Sequence, residues 1–125
     1  MKIILDTNFL IYCAKEKLDY NEEIQNLINE RYELVVPEQV VEELKRLAKK
    51  TKKWSDKEAS NLALQLLGKN KIKIIDVNGK KVDDVIINLA KENPKNIVCT
   101  LDREMRKELP RVILLNRNKK LILTR

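Results

Sequence analysis

Short apolar runs alternate along this chain with longer segments whose apolar residues recur at helical spacing. Lys2–Leu5 reads as a buried strand, and Thr7 to about Ala14 starts a short helix. Ile24, Leu27 and Ile28 give Asn21–Glu30 a helical stripe, and Glu33–Val36 is the next strand. Pro37 suits the first turn of the following helix, whose apolar positions are Val40, Val41, Leu44, Leu47 and Ala48. Ser55 and Glu58 match a capping box, so the next helix is expected to start from Ser55, turn Ala59, Leu62, Ala63 and Leu66 inward, and stop at Gly68. Lys71–Ile75 is a strand, Val82–Glu92 a helix ended by Asn93-Pro94, and Asn96–Thr100 a strand. Asp102–Glu108 is a short helix, Val112–Leu115 a strand, and Leu121–Leu123 a terminal edge strand.

Strands separated by helices pair in parallel, so the fold class is α/β, with a central parallel sheet covered on both faces. The chain shows no internal repeat and no Pro/Gly-rich linker, and 125 residues suit one domain over 1–125. Right-handed crossovers bring the C-terminal ends of parallel strands to one rim, where ligands of such sheets bind.

Two counts narrow the chemistry available at that rim. The sequence holds no histidine, which removes Ser-His and Cys-His catalysis and His-ligated zinc. Its two cysteines, Cys13 and Cys99, stand far apart in apolar settings and read as reduced core thiols of a cytoplasmic protein. No apolar stretch is long enough to span a membrane, and the N-terminus does not read as a signal peptide. The net charge of +7 favours an anionic partner, nucleic acid before a membrane surface. The same Lys/Glu-rich composition also fits a heat-adapted protein.

Catalysis therefore falls to carboxylates, lysines, hydroxyls or a bound metal. Asp6 and Asp102 each follow an apolar strand run directly, which puts both at the C-terminal rim; each also suits the N-cap of the helix after it. On a helical wheel Glu43 lies at the edge of the apolar stripe, whereas Glu38 and Glu42 face solvent. Asp83 and Asp84 open a helix, where acidic residues suit the dipole, and the wheel sets Asp83 nearer the apolar side. Acids from four elements converging on one rim repel one another unless a cation sits among them. Oxygen-only ligands suit Mg²⁺ or Mn²⁺ rather than zinc, and such a site fits phosphodiester hydrolysis.

Ordered segments of the sequence resemble the PIN-domain ribonuclease family: Ile-Ile-Leu-Asp-Thr-Asn at 3–8, Val-Pro-Glu-Gln-Val-Val-Glu-Glu-Leu at 36–44, Val-Asp-Asp-Val-Ile-Ile-Asn-Leu-Ala at 82–90, and Ile-Val-Cys-Thr-Leu-Asp-Arg-Glu-Met-Arg at 97–106. The resemblance implies a three-layer α/β/α domain and a Mg²⁺- or Mn²⁺-dependent endoribonuclease. It places the family's acids on Asp6, Glu43, Asp84 and Asp102, with Asp83 as the substitute for Asp84, and its polar helpers on Asn8 and Thr100. It implies RNA as substrate, a homodimer, and either a VapC-like toxin held by a small antitoxin or an archaeal ribosomal-RNA processing protein. Many toxins carry an aromatic shortly after the last aspartate, where this chain has Met105 and Arg106. A non-catalytic RNA-binding module of the same fold would show a missing acid, and none is missing.

Candidate phosphate contacts are Lys49, Lys50, Lys52 and Lys53, and, beside Asp102, Arg103, Arg106 and Lys107. Trp54 either stacks on a base or packs on the helix it precedes.

Overall fold

A computed structural model describes residues 1–50 and 52–124. In chain order the elements are β1 (Lys2–Leu5), α1 (Thr7–Lys15), α2 (Tyr20–Leu27), β2 (Glu33–Pro37), α3 (Glu38–Lys50), α4 (Trp54–Lys69), β3 (Lys73–Ile75), α5 (Val82–Ala90), β4 (Ile97–Cys99), α6 (Arg103–Arg106), β5 (Val112–Leu115) and β6 (Leu121–Thr124). The strands form one sheet in the order β3-β2-β1-β4-β5-β6. The pairs among β1 to β5 are parallel, and β6 closes the β5 edge antiparallel. Helices on the sheet's two faces complete a three-layer α/β/α fold.

The innermost strands are continuous apolar runs because both faces are covered. Ile3, Ile4, Leu5, Val35, Val36, Ile97, Val98 and Cys99 are fully buried, with Phe9, Leu10, Leu44 and Ile86 packing from the helices. Cys13 and Cys99 are both free thiols in this core, and burial pushes the Cys13 thiol up to about 12, so it stays protonated and inert. Phe9 and Tyr20 meet edge to face, 6.2 Å between ring centres. Among the described residues no helix is long and apolar enough to cross a membrane.

The strand order sets the site. From β1 the sheet grows one way through β2 and β3 and the other way through β4 and β5. The order of winding therefore reverses between β1 and β4, the position at which sheets of this kind bind ligands beyond the C-terminal ends of their strands. Asp6 donates its backbone N–H to the carbonyl of Cys99 at 3.0 Å, which fixes that end of β1 against the end of β4.

Some boundaries differ from the expectations. Pro37 is the last residue of β2 rather than a helical one, and α2, α5 and α6 are each shorter than their sequence patterns. The capping box at Ser55 does not form: α4 begins at Trp54, Lys53 is its N-cap, and no side chain caps it. Tertiary contact prevails instead, since the Asp56 carboxylate pairs with the Lys15 ammonium at the end of α1. Gly68 does not stop α4 either. Lys71, two residues beyond the helix, takes the left-handed backbone at φ 53°. The amides of Lys71 and Ile72 donate to the carbonyls of Gly68 and Leu67, a Schellman closure made without glycine.

Candidate active site

The rim where β1 and β4 end is built around two aspartates that follow those strands, Asp6 and Asp102. Asp6 caps α1: its Oδ1 accepts from the Thr7 N–H at 2.8 Å. Asp102 caps α6: its Oδ1 accepts from the N–H groups of Glu104 at 2.9 Å and Met105 at 3.2 Å. Capping and rim placement are thus compatible, because each cap occupies only one of the two carboxylate oxygens.

Thr100 ties the two together. Its fully buried hydroxyl donates to Asp6 Oδ2 at 2.6 Å and accepts from the Asp102 N–H at 3.1 Å. Asn8 supports the same turn, its Oδ1 accepting from the Leu101 N–H at 3.1 Å and lying 3.5 Å from the Thr100 hydroxyl. One side chain from β4's end therefore orients a carboxylate from β1's end.

Two more elements bring negative charge to Asp6. Glu43 sits half-buried on α3, its side chain 31% exposed, while Glu38 and Glu42 are exposed as the wheel requires. Asp83 and Asp84 occupy the first turn of α5 and are both exposed. Asp6 is only 3% exposed, and burial raises its carboxyl to about 6. The Thr100 and Thr7 hydrogen bonds oppose that rise, while the charges of Asp83 and Glu43 add to it. Burial also raises the Asp83 carboxyl, reinforced by the charges of Asp102, Glu43 and Asp84. Asp6, Glu43, Asp83 and Asp102 thus share one electrostatic neighbourhood, and the charge of Asp84 acts on Asp83.

As their side chains stand, no three acidic or cysteine groups among the described residues meet closely enough to grip one ion. The donor set still suits a hard divalent cation: it is all oxygen, and Asp6 carries a buried charge that the Thr7 and Thr100 hydrogen bonds offset only in part.

Beside this rim lies a cleft of about 360 Å³ whose walls include Gln39, Glu43, Arg46, Lys80, Lys81 and Asp83. Arg46 approaches Glu43 at 3.6 Å. A roomier cavity of about 650 Å³ between α1 and α4 presents Lys15, Lys17 and Glu58 but gathers no set of acids.

A family model described as a PIN like domain matches residues 3–121. The chain belongs to the PIN-like domain family. It is 42% identical over 109 residues to a protein named Ribonuclease VapC4 from Methanocaldococcus jannaschii, covering 86% of this chain and 82% of that one. The PIN domain endonuclease Utp24 superposes with a TM-score of 0.76 at 17% identity, covering 96% of this chain and 90% of that one. VapBC2 from Rickettsia felis, solved with a DNA fragment from its promoter, superposes with a TM-score of 0.60 at 16% identity, covering 93% and 100%. At these identities the structural likenesses speak to the fold.

In this PIN-like domain the proposed RNA contacts fall in two places. Lys49, Lys50, Lys52 and Lys53 are exposed around the turn joining α3 to α4. Trp54 beside them is 71% exposed, so it does not pack on its own helix. Arg103, Arg106 and Lys107 are exposed along α6 and line a separate cleft of about 440 Å³ next to Val112 and Thr124. Lys107 shares its charge with Glu104 at 3.3 Å. The sequence reading missed Arg46, Lys80 and Lys81. The available signal was Lys80-Lys81 directly ahead of a helix, where cations oppose the dipole.

Proposed function

We propose that this PIN-like domain is an endoribonuclease of the VapC kind, hydrolysing RNA phosphodiester bonds at the β1/β4 rim with a divalent metal. The observation that carries this reading is the pairing of Asp6 and Asp102 across the switch point through Thr100, with Glu43 and Asp83 adding charge. The 42% identity to a ribonuclease supports RNA as the substrate. Two of the structural likenesses are VapBC assemblies, which supports a small antitoxin as partner.

Asp6, Asp83 and Asp102 are the proposed ligands of Mg²⁺ or Mn²⁺, with Glu43 supporting the ion directly or through water. Asp83 is preferred to Asp84 because it lines the cleft with Glu43 and senses Asp102. The bound ion would lower the pKa of a water and offset charge on the attacked phosphate and the leaving oxygen. Thr100 and the Thr7 N–H hold the Asp6 carboxylate in one orientation, and Asn8 braces the turn that carries Asp102. Hydrolysis would join the water oxygen to phosphorus as the P–O bond to the leaving ribose oxygen breaks, that oxygen taking up a proton to leave as a hydroxyl. The rim carboxylates are the groups placed to accept the water's proton.

Titrating Mn²⁺ against an RNA substrate tests the proposal, with wild type compared to Asp6→Asn, Asp83→Asn and Asp84→Asn. Asp6→Asn and Asp83→Asn are expected to slow cleavage by roughly 100-fold or more, and Asp84→Asn by much less. Equal cleavage by wild type and Asp6→Asn would refute the metal-site reading; loss confined to Asp84→Asn would return that ligand position to Asp84.

A further inference from the structure

We propose that Lys80 and Lys81, with Arg46, form a phosphate grip that seats the RNA backbone beside the scissile bond. This rests on the reading of the carboxylate rim as a phosphodiesterase site. One wall of the cleft, the segment entering α5, carries Lys80, Lys81 and Asp83, and the other, α3, carries Glu42, Glu43 and Arg46, so cations and acids share the same space of about 360 Å³.

Three features argue that this wall is built rather than incidental. The loop before α5 is pinned by Gln39 at the start of α3, whose Nε2 donates to the carbonyls of Val77 at 2.5 Å and Gly79 at 2.9 Å. Gly79 holds φ 133°, and a Cβ there would fall 2.6 Å from Val85 Cγ2, so the loop lies flat on α5 only because the residue is glycine. Lys80 and Lys81 are thereby delivered to the cleft on a fixed backbone.

The second feature is local cost. Lys81 is the N-cap of α5 with no side-chain cap, a position that favours Ser, Thr, Asp or Asn. Two ammonium groups there oppose the helix dipole. Local rules are broken in this way where function demands it. The third is availability. Among the described residues neither Lys80 nor Lys81 makes an ion pair with an acid, although Glu43 and Asp83 line the same cleft. Cations beside metal-binding acids would compete with the metal, unless a polyanion passes between them. An RNA strand does so, with its scissile phosphate at the acids and an adjacent phosphate at Lys80 and Lys81.

The experiment uses fluorescence anisotropy of a labelled single-stranded oligoribonucleotide in a salt series, on the full chain carrying Asp6→Asn to prevent cleavage. Lys80→Gln/Lys81→Gln is compared with Lys91→Gln/Lys95→Gln, which removes equal charge near the other end of α5. Loss of two phosphate contacts should weaken binding roughly tenfold and reduce the slope of log affinity against log salt by about 1.4. The control pair should leave the slope unchanged. In the active background the Lys80/Lys81 variant should raise KM while largely sparing kcat. Binding and slope unchanged in Lys80→Gln/Lys81→Gln, with cleavage by wild type intact, overturns the grip and leaves the ribonuclease reading standing. Equal losses in both lysine pairs reduce the effect to net charge and also overturn it. Failure of the wild-type chain to bind or cleave RNA removes both.

Discussion

Asp6 is an ionisable group folded where ionisation is costly. Its carboxyl titrates near 3.8 in an unfolded chain and at about 6 in the folded one, chiefly because it is buried. Between those values the folded state holds a proton that the unfolded state has lost. Stability from this group is therefore complete below about pH 4 and is lost as pH rises through 6, a penalty of about 3 kcal/mol at neutral pH. Asparagine keeps the shape and removes the charge. Chelator-treated Asp6→Asn is thus expected to melt above wild type at pH 7.5, with the gap closing toward pH 4 in calorimetry. A wild type that melts higher at neutral pH contradicts this assignment. Thr100→Val removes the hydroxyl that aims Asp6 and should cut kcat roughly tenfold, with Thr100→Ser restoring it; a hydrogen bond to a charged group is worth about 1.5–3 kcal/mol. At this scale much was legible. Asp6 and Asp102 announced themselves by ending apolar runs, and the wheel separated half-buried Glu43 from exposed Glu38 and Glu42. The wheel also set Asp83 nearer the apolar side, whereas the resemblance pointed to Asp84; the cleavage comparison of Asp83→Asn with Asp84→Asn decides between them.

Among the elements, α5 and α4 show how the two glycines differ. Gly79 lies before α5 in a backbone conformation that L side chains rarely adopt, with Val85 in the way of a Cβ. Gly79→Ala is expected to destabilise by about 1–3 kcal/mol and to weaken RNA binding by displacing Lys80 and Lys81. Gly68 lies near the end of α4, where an added methyl would meet nothing within 4 Å, so Gly68→Ala should stabilise by about 0.5 kcal/mol. Urea unfolding of the two variants checks both signs, and the same sign for both would contradict the assigned geometries. Element types were readable from apolar period, while element ends were not. The Ser55 capping box lost to an ion pair between α1 and α4, and the close of α4 fell to Lys71 rather than to a glycine. Such contacts join residues distant in sequence and leave no local pattern. For the same reason no local pattern singled out Lys80 and Lys81, whose loop Gln39 holds against α3.

At the level of the whole molecule, one sheet reverses its winding between β1 and β4 and gathers acids from β1, α3, α5 and the end of β4 at that point. The chain as a whole carries a net charge of +7, which draws a polyanion toward it. Those acids repel one another and stand apart among the described residues. A cation that draws them together is therefore coupled to stability: Mn²⁺ should raise the melting temperature of wild type, and Asp6→Asn should respond far less. The most direct measurement is an anomalous difference map from crystals of wild type soaked in Mn²⁺. The expected result is a peak at the β1/β4 rim, about 2.0–2.2 Å from carboxylate oxygens that include Asp6, with Asp83 and Asp102 turned inward. Crystals with the rim accessible to solvent and saturating Mn²⁺, yet with no peak there or with a peak bound only by acids elsewhere on the surface, would contradict it.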